Sequence, residues 1–348
     1  MTADNSIGKL VIRLMLFAVL SAAGMELFFR FGLHATENPR SVQDPLTGVS
    51  MFDTSWLREG RCTSGPYCAE LGRWRINNAG WNSVFDYSDR ADAARPRIAV
   101  VGNSYIEGFA SDVDSHIDAE LFRLLDGSAD VYSFGISGAT FAQYVGMIPY
   151  IEQEYDPDLY LFMLSSFGIS RSLDSSVSPY RFYLSETDSG FRLSPPREVF
   201  VQNRYGRILF RSALAMYFKL NRNVFAERLQ LGGDEISLEP VAMDTISDRV
   251  LAAGAFFVDT LEQLLPGHGI ILFSCSDEVM DYRVLGSVLD EESAVVLFDL
   301  SDFMNQDYEE NRIPFLSADG GHWNSHGQRT AARALLPLVR SALADLGY

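Results

Sequence analysis

The feature that most constrains this chain is a set of short, continuous apolar runs beyond Arg97, each closed by turn formers. Residues 98–101, 159–164 and 295–298 are of this kind, 131–134 and 270–274 nearly so with one serine each, and all five read as strands of a sheet covered on both faces. Helix-length segments fill the gaps. Ile117, Leu121, Leu124 and Leu125 share one helical face, with Asp114 or Ser115 placed to cap it. Residues 140–154, 246–265 and 325–346 are helical in pattern as well. Such alternation predicts an α/β fold: a three-layer α/β/α sandwich on a mostly parallel five-stranded sheet. Sheets of this type carry their sites at the carboxyl ends of the strands.

Three regions depart from the alternation. Residues 34–94 show weak periodicity, a turn at Asn77, Asn78 and Gly80, and scattered Trp56, Trp74 and Trp81. They suit a stalk or cover segment packed on a main domain of residues 95–348. Residues 168–240 hold Pro179, Pro195, Pro196 and an amphipathic run over 208–225. That length exceeds an ordinary connection, so the segment reads as an insertion: a lid, a substrate-binding element or a docking surface for an envelope protein.

The third region is 1–33, read as a membrane anchor. From Leu10 to Phe29 the chain is almost wholly apolar, broken only by Arg13 and Glu26 near the ends, where both can snorkel. About 20 such residues cross a hydrocarbon core. Lys9 and Arg13 favour a cytoplasmic N-terminus and an outer, periplasmic or extracytoplasmic domain. The alternatives are a buried helix and a signal peptide cut near Ser21, Ala22 and Ala23, although the apolar run continues beyond them. Cys62 and Cys68 lie in a turn-rich loop that can close as a small disulfide, and Cys275 reads as a buried free thiol. A formal charge of −18 excludes a phosphate-backbone partner, so no nucleic acid is expected.

Three short blocks carry chemistry. Asp319-Gly-Gly-His322 lets a carboxylate meet an imidazole within one turn, although the same Asp can equally cap the following helix. Gly102-Asn103-Ser104, at the end of the first buried strand, can present a hydroxyl and its own N–H at the sheet rim. Gly135-Ile136-Ser137-Gly138 follows the second strand, where glycines admit a ligand close to backbone N–H groups or simply make a turn. The remaining histidines point elsewhere. His34 flanks the anchor, His116 starts a helix, and His268 sits in a turn. His326 follows His322 at helical spacing, and no third ligand accompanies the pair, so no metal and no cofactor are expected.

Taken in order, the three blocks resemble the SGNH/GDSL hydrolase family over residues 75–345, apart from the insertion. Residues 73–81 and Glu26-Leu27-Phe28-Phe29-Arg30 resemble its membrane-anchored bacterial members. The resemblance implies a flavodoxin-like sheet, Ser104 as nucleophile, His322 as general base and Asp319 as its orienting partner. The oxyanion donors it implies are the backbone N–H groups of Ser104 and Gly138. Asn103 stands where the family has Asp. Phe167 stands where the family has an oxyanion Asn, leaving Ser165, Ser166 or the insertion to supply that donor. The implied function is hydrolysis of an O-acyl ester on carbohydrate or lipid through an acyl-serine intermediate. The alternatives are a polysaccharide O-acyltransferase with the same triad, or an inactive carbohydrate-binding relative.

Overall fold

The computed structural model describes residues 2–200, 211–220 and 246–348, apart from 36, 38, 65–69, 90, 92–94, 177–178, 189, 277 and 291. After helix α1 (Thr2–Phe31) come two hairpins, β1 (Ser41–Gln43) with β2 (Ser50–Phe52) and β3 (Glu59–Ser64) with β4 (Glu70–Arg75). The alternating part follows: β5 (Arg97–Gly102), α2 (Ser104–Glu107), α3 (Ile117–Leu124), β6 (Asp130–Gly135), α4 (Phe141–Tyr155) and β7 (Leu159–Met163). A short α5 (Gly168–Ser172), the hairpin β8 (Tyr183–Thr187) and β9 (Gly190–Ser194), and α6 (Ala213–Leu220) interrupt it. It resumes with α7 (Asp248–Leu264), β10 (Gly269–Ser274), α8 (Met280–Val288), β11 (Val295–Asp299), α9 (Ser301–Asn311) and α10 (Ser325–Asp345).

Five parallel strands form one sheet in the order β11-β10-β7-β5-β6. Period-two alternation sends Ile98 and Val100 to one face and Ala99 and Val101 to the other, and all four are buried. The first face packs on α3, α9 and α10 through Leu121, Met304 and Leu335; the second packs on α4, α7 and α8 through Ile148, Phe257 and Leu285. This is the three-layer α/β/α sandwich expected. Because β6 and β7 flank β5 on opposite sides, their connections diverge at the carboxyl end of β5 and open a crevice there. Ser104 begins at that point.

The described residues of 41–89 pack into the body of the molecule through 52 and 74–87. Trp74 and Ile76 bury against Phe52 and Phe109, Trp81 meets Phe134 edge-on at 5.1 Å, and Tyr87 stacks on Tyr132 at 4.1 Å. Ser83 donates to Asp118 at 2.7 Å, and the Asn82 amide donates to the Glu107 carbonyl at 2.8 Å.

Several local expectations change. Asp114 and Ser115 do not cap α3; they lie in a 3₁₀ turn, and His116 takes the cap position. Their side chains have tertiary partners instead, Arg73 for Asp114 and Arg329 for Ser115. Glu26, near the end of the apolar run, has protein partners. It accepts from the N–H groups of Ala213 and Leu214 and from the Ser212 hydroxyl at 2.9–3.0 Å, so it satisfies orphan donors at the start of α6. Phe29 stacks on Tyr217 at 4.2 Å beside it. Segment Gly8–Phe31, mean hydropathy 1.9, is apolar and long enough to span a membrane or to serve as a signal sequence. The Cys62–Cys68 pairing falls outside the described residues. Cys275 is a free thiol, half-buried rather than fully buried, and burial pushes its pKa up to about 11.

Candidate active site

The serine block is built by a capped turn. The Asn103 side chain accepts the Tyr105 N–H at 3.0 Å and so caps α2, whose first residue is Ser104. Asn and Asp are comparable caps, which explains why Asn103 serves where Asp is expected. The turn lies directly on β6: a Cβ on Gly135 would stand 2.0 Å from the Glu107 nitrogen. Glycine there is required by close approach of two backbones.

The histidine block is a turn between α9 and α10. The Ser317 N–H donates to the His322 carbonyl at 2.7 Å, Leu316 pairs with Trp323, and Trp323 is buried edge-on to Tyr105. Asn324, not Asp319, caps α10, accepting from the His326 and Gly327 N–H groups at 2.9 and 3.0 Å. Asp319 is thereby left for the imidazole. Its Oδ2 is 2.6 Å from His322 Nδ1, while Oδ1 accepts from Ser317 Oγ, Gly321 N and His322 N at 2.6, 2.9 and 3.0 Å. His322 Nε2 stands 2.8 Å from Ser104 Oγ. Burial alone would raise the Asp319 pKa. Hydrogen bonds from His322, Ser317 and Gly321 outweigh it and hold the carboxyl well below the usual range. An ionised Asp319 fixes the proton on Nδ1 and turns the Nε2 lone pair toward the serine hydroxyl. The Gln328 amide donates to the Tyr105 carbonyl at 2.6 Å and fastens α10 to the Ser104 turn.

The glycine block forms the opposite rim. Gly138 is exposed in a left-handed conformation, φ +66°. The preceding Ser137 is held twice: its hydroxyl donates to the buried Glu107 carboxyl, and its carbonyl accepts from Arg181 Nη2 at 2.9 Å. Burial raises the Glu107 pKa to about 7, only partly offset by hydrogen bonding to Ser137 and by the His322 and Arg181 charges.

After β7 the Phe167 side chain offers no donor, and Ser166 before it is half-buried. Phe167 precedes α5 and lies under the Arg171 guanidinium, 5.6 Å from its ring centroid. Ser165 donates to the buried Asp281 at 3.2 Å, and Asp281 also accepts the Gly168 and Ile169 N–H groups at 2.7 and 3.0 Å. Asp281 thus caps α5, and the Ser165 hydroxyl is taken up by the same carboxyl. His326 does not share a face with His322; His322 precedes α10, and His326 Nε2 meets Asp307 at 2.5 Å. His116 is buried with Nε2 on the Gly108 carbonyl, and burial depresses its pKa. Among the described residues no cluster of three or more His, Cys, Asp or Glu can hold a metal ion.

Glu107, Asp281 and Arg181 were not singled out from sequence. Glu107 was visible in principle, three residues after Ser104 on the same turn. Arg181 and Asp281 carry no local signal, because each reaches its partners across more than 40 residues of chain.

No family model matches the sequence, and no curated protein matches it. Among solved structures the chain is similar to a carbohydrate acetylesterase family member from Sinorhizobium meliloti, at 14% identity and TM-score 0.36, covering 72% of this chain and 99% of that one. A Clostridium thermocellum family 3 carbohydrate esterase gives 14%, 0.38, 71% and 98%. An acetyl xylan esterase from the rumen bacterium Butyrivibrio proteoclasticus gives 12%, 0.36, 79% and 73%. The reading of function therefore rests on the side chains themselves.

Proposed function

We propose that this chain is a serine esterase of the SGNH/GDSL type, held on the outer face of a membrane by α1, that removes O-acyl groups from extracytoplasmic carbohydrate or lipid. The observation that carries it is the hydrogen-bonded line Asp319–His322–Ser104, with contacts of 2.6 and 2.8 Å. The substrate class follows from the family resemblance and the apolar N-terminal helix.

In the first half-reaction Ser104 Oγ bonds to the acyl carbon as its proton passes to His322 Nε2, and the carbonyl π electrons move to oxygen. The N–H groups of Ser104 and Gly138 receive that oxyanion. Its collapse breaks the bond to the sugar or glycerol oxygen, which leaves with the His322 proton. Water repeats the sequence on the acyl-serine, giving a carboxylic acid and free Ser104. Asp319 stays ionised throughout and stabilises the imidazolium.

A fluorophosphonate probe should label Ser104 and fail to label Ser104→Ala, with labelling strongly reduced in His322→Ala. Purified protein should release acetate from a chromogenic ester. No labelling together with no release would remove the hydrolase reading and favour a binding module. Membranes washed with carbonate should retain the protein, with its domain open to protease from outside; a soluble form beginning near Gly24 would show cleavage instead.

A further inference from the structure

The oxyanion side of the site contains a cation that the family resemblance does not call for. Arg181 belongs to the insertion, just before β8, and its guanidinium lies against Gly138: a Cβ built there would be 3.1 Å from both Nη1 and Nη2. Nη2 donates to the Ser137 carbonyl at 2.9 Å, which uses one of five N–H donors. Arg181 makes no other hydrogen bond among the described residues, and the Glu107 carboxyl on the same rim is engaged by the Ser137 hydroxyl. Half-buried, with donors to spare, the guanidinium faces the loop whose glycine N–H is expected to hold the oxyanion.

Its backbone is fixed on both sides. The Tyr180 carbonyl accepts from the Gln43 amide at 2.8 Å, and the Phe182 N–H donates to Gln143 at 3.2 Å. The Phe182 ring is buried over Gly146, where a Cβ would come within 2.4 Å of it. The position after β7 that would otherwise supply a donor holds Phe167, and Ser165 is spent on Asp281.

We propose that Arg181 is the third oxyanion donor, delivered by the insertion to the place the Phe167 side chain cannot serve. The proposal rests on Ser104 being an acyl-transfer nucleophile. As the carbonyl π electrons move to oxygen, the negative charge gains a charged donor beside the two backbone N–H groups, and it returns when the leaving-group bond breaks. A guanidinium is suited to this because it stays protonated and presents its donors in a fixed fork. Held in place before reaction, it needs no reorganisation when charge develops.

Two measurements test it, one independent of turnover. On a neutral activated ester, Arg181→Ala and Arg181→Gln should lower kcat by about 10²–10³ with KM within about threefold, the pattern of an interaction made in the transition state. Arg181→Lys should recover part of the loss. Binding of diethyl phosphate, a stable anionic mimic of the tetrahedral intermediate, should weaken at least tenfold in both uncharged variants. Variants that keep the wild-type melting temperature, kcat and phosphate binding would overturn the proposal while leaving the esterase reading intact. A rise in KM with kcat unchanged would also overturn it. Wild-type protein that binds diethyl phosphate through Arg181 yet hydrolyses no ester would sink the esterase reading and leave an anion site. Wild type that neither binds nor hydrolyses would end both.

Discussion

The two rims of the site are built in opposite ways. The Asp319–His322 rim is local: eleven residues between Pro314 and Asn324 contain the turn, its bridge, the cap of α10 and the buried Trp323 that seats it. The Gly138 rim is assembled from afar, with Glu107 from the Ser104 turn below Ser137 and Arg181 from the insertion above it. A local rim keeps its geometry through short-range hydrogen bonds and tolerates change elsewhere. An assembled rim depends on the packing of several elements, and that is where chains sharing one fold can diverge in chemistry.

The largest effect should come from the local rim. Asp319→Asn keeps a similar shape but no longer dictates which imidazole nitrogen carries the proton. The expected fall in kcat is about 10⁴, with the melting temperature little changed. Retained activity would mean that His322 is oriented by something other than Asp319. Gly135→Ala probes the assembled rim by force: its Cβ would meet the Glu107 backbone nitrogen at 2.0 Å, and backbone cannot step aside as a flexible side chain can. Destabilisation of about 3 kcal/mol or more is expected by denaturant titration, with activity lost as α2 lifts from β6. Wild-type stability would show that α2 is not seated on the sheet as described.

Glu107 adds a pH signature to the same rim. Burial raises its pKa from an ordinary 4.5 to about 7. A raised carboxyl gives stability that is fully present below its unfolded value and is lost as pH climbs through its folded value. Wild type should therefore weaken between about pH 4.5 and 7 relative to Glu107→Gln, which cannot ionise. At ~1.4 kcal/mol per pH unit the difference can reach about 3 kcal/mol. Asp281, also raised to about 7 by burial, titrates in the same window in both proteins, so the comparison isolates Glu107. Parallel stability profiles would mean that Glu107 ionises freely in the folded protein.

The contrast between rims also explains what could be read before the structure. The five strands were legible because parallel strands buried on both faces leave continuous apolar runs, and Ser104, Asp319 and His322 because each sits in a short motif at a strand or helix end. The hairpin of β8 and β9 was not. Its strands are brief and mostly polar, and only Leu184 and Ser194 are buried along them. Arg181 was hidden for a related reason: nothing in Tyr180-Arg181-Phe182 foretells that Gln43, Gln143 and Gly146 will hold it beside Gly138. The docking of Glu26 on α6 was missed because a lone carboxylate in an apolar run looks like a membrane-edge residue until its partners are known.

The smallest effect expected is also the one that bears most directly on how the assembled rim replaces a lost donor. Phe167→Asn restores the side-chain type that the family resemblance places after β7. If that position stood unserved, a correctly aimed amide would add about 2.7–4 kcal/mol of transition-state stabilisation, and turnover would rise tenfold or more. With Arg181 already beside Gly138, a second side-chain donor has little charge left to stabilise, and kcat at saturating activated ester should stay within about twofold of wild type. The substitution also removes the ring beneath Arg171, so a lowered melting temperature accompanies an intact rate. Turnover measured below the melting onset separates the two consequences, and a tenfold rise there would show that Arg181 leaves the oxyanion position open.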